Sequence, residues 1–299
     1  MTQREPLRER MRGRWHGVLP ELGVPAGFLN GKHQPCPMCG GKDRARYSDH
    51  DGVGMYFCSQ CGPGDGIALV MKVNGWDFKT AAERVEALIG TVQPRAPKPA
   101  ADPKRQQRAM RQVWKDAAPI DLVVRRYMAS RGIDVGDPPD LRESYDHEML
   151  ALLRDTSGKG CQIHRTLLTA DGHKADVERP RLFMPGPIAK GAAVRLMEHD
   201  DRLGIAEGIE TAFSASILHD VPVWAALNAT MLRQWEPPEG VKTVVVFGDN
   251  DATYTGQAAA YELARRLAGR VANVTVRIPD APGSDWNDVL QERASRATG

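Results

Sequence analysis

VVVFGDND, residues 244–251, runs an apolar segment straight into a pair of carboxylates. Val244, Val245, Val246 and Phe247 form an unbroken apolar run, and such a run reads as a strand buried on both faces. It ends at Gly248, and two carboxylates follow at Asp249 and Asp251. In extended backbone, residues i and i+2 point to one side. Two negative charges aimed together at the end of a core strand repel unless something positive lies between them. Hard divalent cations, held by oxygen ligands, meet that need. A polar loop with an N-capping aspartate is the plainer reading of the same letters.

Outward from this strand, the text from residue 202 alternates. RLGIAEG, VPVWAALN, VKTVVVFGD and VANVTVRIP read as strands, and IETAFSASILHD, TGQAAAYELARRLAGR and DWNDVLQERASR as helices. That alternation predicts a mainly parallel sheet in an α/β layer, where ligands bind beyond the carboxyl ends of the strands. Two more acidic positions fall at such ends: Glu207, with Glu210 in the first turn of the helix that follows, and the pair Asp285 and Asp288 in GSDWNDVL. Three strand-end acidic clusters imply shared metals. Two metals align a nucleophile and a leaving group in phosphoryl or nucleotidyl transfer. Residues 104–132 read as helices, and residues 150–198 as β-rich text with a DGHK turn.

The N-terminal part holds a different chemistry. Cys36 and Cys39 form one CxxC and Cys58 and Cys61 a second, with ARYSDHDGVGMYFC between them as a hairpin. Two such knuckles suit tetrahedral Zn²⁺, and four thiolates close its shell, which makes the zinc structural. His33 and His50 are spare ligands beside a complete set, and the lone Cys161 reads as buried filler. Two helices follow, GDGIALVMKVNG and WDFKTAAERVEALIG, the second with Asp77 as N-cap. A ribbon displaying Arg44, Arg46, Tyr47, Tyr56 and Phe57 presents cations and aromatic faces to single-stranded nucleic acid. Tyr56 and Phe57 packing the small sheet is the competing reading, and the favoured one for Phe57.

TVQPRAPKPAADP (91–103) carries four prolines and reads as a semi-rigid linker. The chain of 299 residues is nearly balanced in charge, 40 Lys and Arg against 38 Asp and Glu, so any polyanion contact must be local. Residues 91–115 hold seven Lys/Arg against one Asp, and the first 16 residues five Arg against two Glu. Such runs are basic arms for a polyanion or solvated faces. No apolar run reaches the ~18 residues of a membrane span and no signal-type segment opens the chain, so a cytoplasmic protein is expected.

The acidic motifs resemble the Toprim domain, the metal-binding module of DnaG-type primases, topoisomerases and some nucleases. Its pattern is a Glu after one strand and a DxD after a later one, here Glu207 in AEGIETA and Asp249/Asp251 in FGDND. The later acidic motif is best matched by Asp285 in SDWND, with Asn287 or Asp288 as its partner. CPMCGG and YFCSQCGPGDGIALVMKVNGWDF resemble the zinc-binding domain of those primases, especially phage and plasmid forms. GCQIHRTLLTADGHKADVERPRLFMPG looks like the β-rich subdomain that precedes Toprim in them. The resemblance touches nearly the whole chain, most specifically 36–90 and 202–290.

It implies an α/β Toprim body with a β-rich subdomain and an N-terminal zinc ribbon. The divisions are 1–90 for the zinc module, 91–103 for the linker, 104–200 for the helical and β-rich part of the core, and 201–299 for the Toprim domain. It further implies a DNA primase, making short RNA primers on single-stranded DNA in phage, plasmid or mobile-element replication. Glu207, Asp249 and Asp251 would be catalytic and would hold Mg²⁺ or Mn²⁺, with Asp285 and Asp288 adding ligands. Arg165, Arg181 and Arg195 are candidates for template or triphosphate contacts, and each is equally suited to a structural salt bridge. Arg44, Arg46 and Tyr56 are the ribbon's nucleic-acid candidates. Partners are single-stranded template, ribonucleoside triphosphates and a separate replicative helicase, since the only near match to a P-loop, SGKG at 157–160, reads as a turn. A Toprim nuclease and a non-enzymatic, zinc-dependent binder of single strands are the alternatives.

Overall fold

The computed structural model describes residues 5–49, 52–95 and 102–298. They fall into two compact units, Met1–Ala101 and Asp102–Gly299. His50 and residues 96–101 of the proline-rich stretch lie outside the described residues.

The first unit is built on a four-stranded antiparallel sheet in chain order, β1 (Gln34–Cys36), β2 (Gly40–Ser48), β3 (Met55–Cys58) and β4 (Gly62–Gly64). Parity along the central hairpin organises it. Ala45 lies opposite Cys58, Arg46 opposite Phe57 and Tyr47 opposite Tyr56. Residues two apart on a strand share a face. Cys58 points inward, so Tyr56 points inward with it and Phe57 points out. Two expectations are corrected by this: Tyr56, 1% exposed, is core and offers no ring to a nucleic acid, while Phe57 is 50% exposed. Tyr47 is buried as well, whereas Arg46 faces solvent and Arg44 is half-buried.

Among the described residues, a 3₁₀ turn (Ala26–Asn30) and four α-helices complete this unit: α1 (Leu7–Arg10), α2 (Trp15–Glu21), α3 (Gly66–Asn74) and α4 (Phe78–Leu88). Asp65 and Asp77 cap α3 and α4 by accepting the N–H groups of Ala68 and Thr80 at 3.0 and 2.8 Å. Leu69, Val70, Ala81 and Val85 pack with Met11, Trp15, Val18 and Leu19. Among the described residues the arginine-rich N-terminus is thus no free arm: Trp15 and Met11 are core, and Arg10 pairs with Glu86. Trp15 lies so close to Gly66 that a Cβ there would stand 2.2 Å from the indole ring. Val92 joins the same core, and the Arg95 N–H donates to the Gly13 carbonyl at 2.8 Å.

The second unit opens with α5 (Pro103–Asp116), capped by Asp102, whose carboxylate accepts the Lys104 N–H at 2.9 Å. Its basic residues lie on the solvated side, and Met110 is its buried residue. After β5 (Ala118–Pro119) and α6 (Leu122–Ala129) come β6 (Leu141–Glu143), β7 (Glu148–Arg154), β8 (Gly160–Leu167), β9 (Arg181–Phe183) and β10 (Ala193–Val194). The alternating part follows: β11 (Arg202–Ala206), α7 (Ile209–His219), β12 (Val223–Ala225), α8 (Ala229–Gln234), β13 (Thr243–Phe247), α9 (Thr255–Leu267), β14 (Asn273–Arg277) and α10 (Trp286–Thr298). SGKG is a turn between β7 and β8, closed by the Gly158 N–H on the Asp155 carbonyl. Helix α8 is an addition to the sequence reading. It is short, and Asn228 caps it by accepting the Met231 N–H at 2.9 Å.

One sheet runs through the unit in the order β14-β13-β11-β12-β10-β7-β6-β5, with β8 and β9 continuing from β7. Strands β14, β13, β11 and β12 are parallel. Strand β10 pairs antiparallel with both β12 and β7 and so joins the parallel layer to the β-rich one. Both faces of β13 are covered. Val244 and Val246 pack with Ala260 and Leu263 of α9, and Val245 and Phe247 with Ala212 of α7 and Trp286 of α10. Two covered faces explain the unbroken apolar run at 244–247. The chain leaves β11 to form β12 on one side and later β13 on the other. The crevice between β11 and β13 is therefore the point where strand order reverses, the place where such sheets bind ligands.

Candidate metal centres

The first centre lies wholly in the first unit. Cys36 and Cys39 flank the β1–β2 turn, and Cys58 and Cys61 the β3–β4 turn. Gly40 and Gly62 follow with φ of +68° and +77°, the left-handed turn that lets each knuckle fold back. The four sulfurs lie within 4.8 Å of one another. A tetrahedron with Zn–S of ~2.3 Å separates its sulfurs by ~3.8 Å, and the Cys39 and Cys58 Sγ atoms are 3.7 Å apart. The Cys61 N–H donates to the Cys58 Sγ at 3.4 Å. Burial opposes a charged Cys58, but the N–H groups of Cys61 and Gln60, together with the Cys39 and Cys36 thiols, bring the thiol down to about 7. These residues fit zinc. His33 is exposed, and its ring nitrogen lies 3.1 Å from the Asp43 carbonyl.

The second centre is built on the β11–β13 crevice. In the parallel register Ala206 stands beside Phe247, so Glu207 and Asp249 emerge next to each other just past the strand ends. They line a cavity of about 130 Å³ together with Asp285. Asn250, between the two aspartates, ties the loop before α10 into place. Its N–H donates to the Ser284 carbonyl at 3.0 Å and its amide to the Pro279 carbonyl at 2.8 Å. That stitching is what brings Asp285 to the strand ends from a site remote in sequence.

The facing wall is cationic: Arg131, just after α6, Lys174, in the turn after β8, and Arg181, on β9. Glu210 sits among them. Its Oε1 accepts from the Tyr127 hydroxyl, from Arg181 Nη2 at 3.0 Å and from Lys174 Nζ at 3.3 Å. Burial alone would raise its pKa, yet Arg181, Lys174 and Tyr127 hold it at about 2. Asp249 shows the opposite balance. Burial and the charges of Glu207, Asp285, Asp251 and Asp288 push it up to about 7, and its Oδ1 is buried without a hydrogen-bond partner. Glu207 is raised too, by burial and by Asp251. A buried, unpartnered carboxylate oxygen among like charges is what a cation would relieve. Unlike the cysteines, these carboxylates are not drawn into one tight cluster.

Residues 202–296 match the family model described as a Toprim domain, and residues 31–67 the one described as the zinc-binding domain of primase-helicase. The chain thus carries a Toprim domain and, before it, a zinc-binding domain of the kind described for primase-helicase. Residues 104–196, between them, match a domain of unknown function (DUF7146). Among solved structures the chain is similar to the zinc-binding and RNA polymerase domains of the Aquifex aeolicus primase. That match has 14% identity and a TM-score of 0.42, over 98% of this chain and 83% of that one. It is also similar to the primase fragment of the bacteriophage T7 primase-helicase protein, at 15% identity and a TM-score of 0.39, over 89% of this chain and 97% of that one. At such TM-scores these likenesses add nothing to the assignment, which rests on the family matches.

Within the Toprim domain the nominated residues divide. Asp251 does not line the cavity. Its Oδ1 accepts the N–H groups of Thr253 and Thr255 and its Oδ2 that of Gly256 at 2.7 Å, so it caps α9. These bonds hold its pKa below the usual carboxylate range, led by the Thr253 side chain. Parity between Asp249 and Asp251 fails because the strand ends at Phe247 and the chain is already turning. Asp285 and Asp288 cap α10 reciprocally: Asp285 Oδ1 accepts the Asp288 N–H and Asp288 Oδ2 the Asp285 N–H, both at 3.0 Å. Asp285 also lines the cavity, whereas Asp288 is exposed and does not. Asn287 is buried and ties α10 to the Arg131 carbonyl and to Ser214.

The three arginines divide as well. Arg181 pairs across the sheet with Thr166, and Arg165, one residue away, faces the other side, where Glu148 holds it at 2.9 Å. Arg195 stacks on Trp224 at 4.8 Å and donates to the Asp155 carbonyl. Among these, only Arg181 faces the acidic wall. Lys174, Arg131 and Asn250 escaped the sequence reading. Each is a single polar residue in a loop or helix end, with no periodicity or spacing to mark it.

Proposed function

We propose that the protein is a DNA primase, a polymerase that joins ribonucleotides into short primers on a single-stranded template. The observation carrying this reading is the Toprim cavity in which Glu207, Asp249 and Asp285 face Arg131, Lys174 and Arg181. The oxygen-only acidic wall, with its unpartnered Asp249 oxygen, fits Mg²⁺ or Mn²⁺, held by Glu207 and Asp249 with Asp251 and Asp285 beside them. A divalent ion there supplies charge neutralisation at the attacking and leaving oxygens. Arg181 and Lys174 orient the triphosphate across the cavity from the acids. Glu207, its pKa raised by burial, accepts the proton of the attacking 3′-hydroxyl at its carboxylate. On the zinc domain, Arg46 and Phe57 form an exposed cross-strand pair, joined by Arg44, which suits a backbone phosphate and a stacked base of the template. A helicase is the partner that would deliver single strands.

The test mixes full-length protein, single-stranded templates of mixed sequence, all four ribonucleotides and Mg²⁺ or Mn²⁺, and resolves the products on a high-resolution gel. Short template-dependent RNAs are expected. Cleavage of labelled strands without synthesis would replace this reading with a Toprim nuclease, and binding without either reaction with a non-enzymatic binder.

A further inference from the structure

Three cations line one wall of the cavity, and each comes from a different part of the chain: Arg131 after α6, Lys174 in a turn, Arg181 on an edge strand. Like charges so placed drive one another apart unless something holds them. What they share is one pair of side chains. Glu210 Oε1 takes both Lys174 Nζ, at 3.3 Å, and Arg181 Nη2, at 3.0 Å. The Tyr127 hydroxyl donates to the same oxygen. The Tyr127 ring in turn lies 5.7 Å from the Lys174 ammonium and 5.8 Å from the Arg131 guanidinium, within the range of cation–π attraction. Both Tyr127 and Glu210 are buried.

We infer that Tyr127 and Glu210 form a positioning device, a buried hub that holds Arg131, Lys174 and Arg181 as a preassembled phosphate-recognition wall. The inference rests on the proposed use of a nucleoside triphosphate at this site and adds how the chain builds the wall that receives it. Glu210 belongs to the same strand-end acidic motif as Glu207, but its role differs. Its Oε1 carries three donors, and its charge is already answered by two cations. The hub acts through the cations: Glu210 lines the cavity, but its Oε1 is taken by Tyr127, Lys174 and Arg181. Tyr127 fits the role because its ring and hydroxyl serve different partners, the ring the cations and the hydroxyl the carboxylate.

The experiment measures MgATP affinity by calorimetry and, in parallel, primer synthesis as a function of nucleotide and of Mn²⁺. It compares wild-type full-length chain with Glu210→Gln, Lys174→Met and the double variant. Glu210→Gln keeps the shape and removes the charge. MgATP binding and the nucleotide KM should weaken about tenfold or more, with kcat and the half-saturating Mn²⁺ within about threefold. In the Lys174→Met background the same change should cost clearly less, because residues acting as a unit are not additive. An unchanged KM and affinity in Glu210→Gln would overturn the inference. So would a shift in half-saturating Mn²⁺ as large as that caused by Asp249→Asn, since Glu210 would then be a ligand. Should Glu210→Gln fail to fold, Lys174→Met decides: weakened MgATP binding supports the wall, unchanged binding refutes it. A wild-type chain that binds MgATP but makes no primer would defeat the polymerase reading and leave the hub standing. One that binds no MgATP would remove the hub's purpose.

Discussion

The two candidate metal centres of this chain are opposites in construction. The cysteine centre draws on two turns of one small sheet, and its four sulfurs already lie within 4.8 Å. The carboxylate centre gathers Glu207, Asp249 and Asp285 from the ends of two strands and the start of a helix, across nearly 80 residues. The first is closed, with soft ligands that complete a tetrahedron and leave no position for a substrate. The second is open, with crowded like charges and an orphaned oxygen on Asp249. A closed site contributes its binding energy to folding. An open site holds charge repulsion in the fold and keeps coordination free for chemistry.

The sharpest way to break this contrast is to remove a zinc ligand. In Cys58→Ser the sheet of the first unit should unfold, because zinc binding supplies on the order of 10 kcal/mol to modules of this kind. The unit Asp102–Gly299, which has its own core, should melt as before. Circular dichroism and zinc analysis of wild type and variant measure this. A native-like first unit without zinc would mean that Trp15, Tyr47 and Tyr56 suffice to hold it.

Removing a charge from the open site should do the reverse. Asp249→Asn should lower primer synthesis by on the order of 100-fold or more, since a hard cation loses a ligand at the reacting centre. Metal-free thermal stability should hold or rise, because the replaced carboxylate sits among like charges. A loss of activity no larger than the loss of folded fraction would take Asp249 out of the metal site.

A pH series sharpens the same point. The Asp249 pKa is raised by burial and its acidic neighbours to about 7, so across the interval from the ordinary aspartate range to about pH 7 the folded state binds the extra proton. Its contribution to stability is therefore fully present below pH 4, roughly the ordinary aspartate value, and is lost as pH rises through 7. Metal-free wild type should lose stability relative to Asp249→Asn over that interval, and Mg²⁺ should restore it above pH 7. Parallel pH profiles for the two proteins would show that Asp249 is not strained.

The smallest effect is expected two residues on. Asp251→Ala removes the N-terminal cap of α9 and should cost about 0.5–2 kcal/mol, with or without Mg²⁺. Denaturant titration measures that cost. An activity loss well beyond it would show that the capping carboxylate also lends an oxygen to the metal.

Much of this architecture was legible because local patterns carried it. The two CxxC knuckles, the glycines after them and the cap Asp77 are short-range features, decided by neighbours in the chain. The strand at 244–247 was legible because two covered faces leave no room for polar residues. Tyr56 and Phe57 were misread although the signal was present: Tyr56 is two residues from Cys58 and must share its face. The capping bonds of Asp251 were hidden from the sequence for a different reason. Parity predicts direction only while the backbone stays extended, and here the strand stops at Phe247.

The paired cysteines, the α/β alternation and the acids at strand ends were readable from the letters alone. Those properties follow from residue type, spacing and period, which act over a few residues. Which charges meet was set by the fold. It put Arg181 on the cavity side of its strand while Arg165 went to Glu148 and Arg195 to Trp224. It used Asn250 to bring Asp285 to Asp249, and it gathered Arg131 and Lys174 around Tyr127 and Glu210. Electrostatic partners are chosen by proximity in space, and proximity between residues far apart in the chain is set by the packing of the whole sheet, which no local pattern encodes.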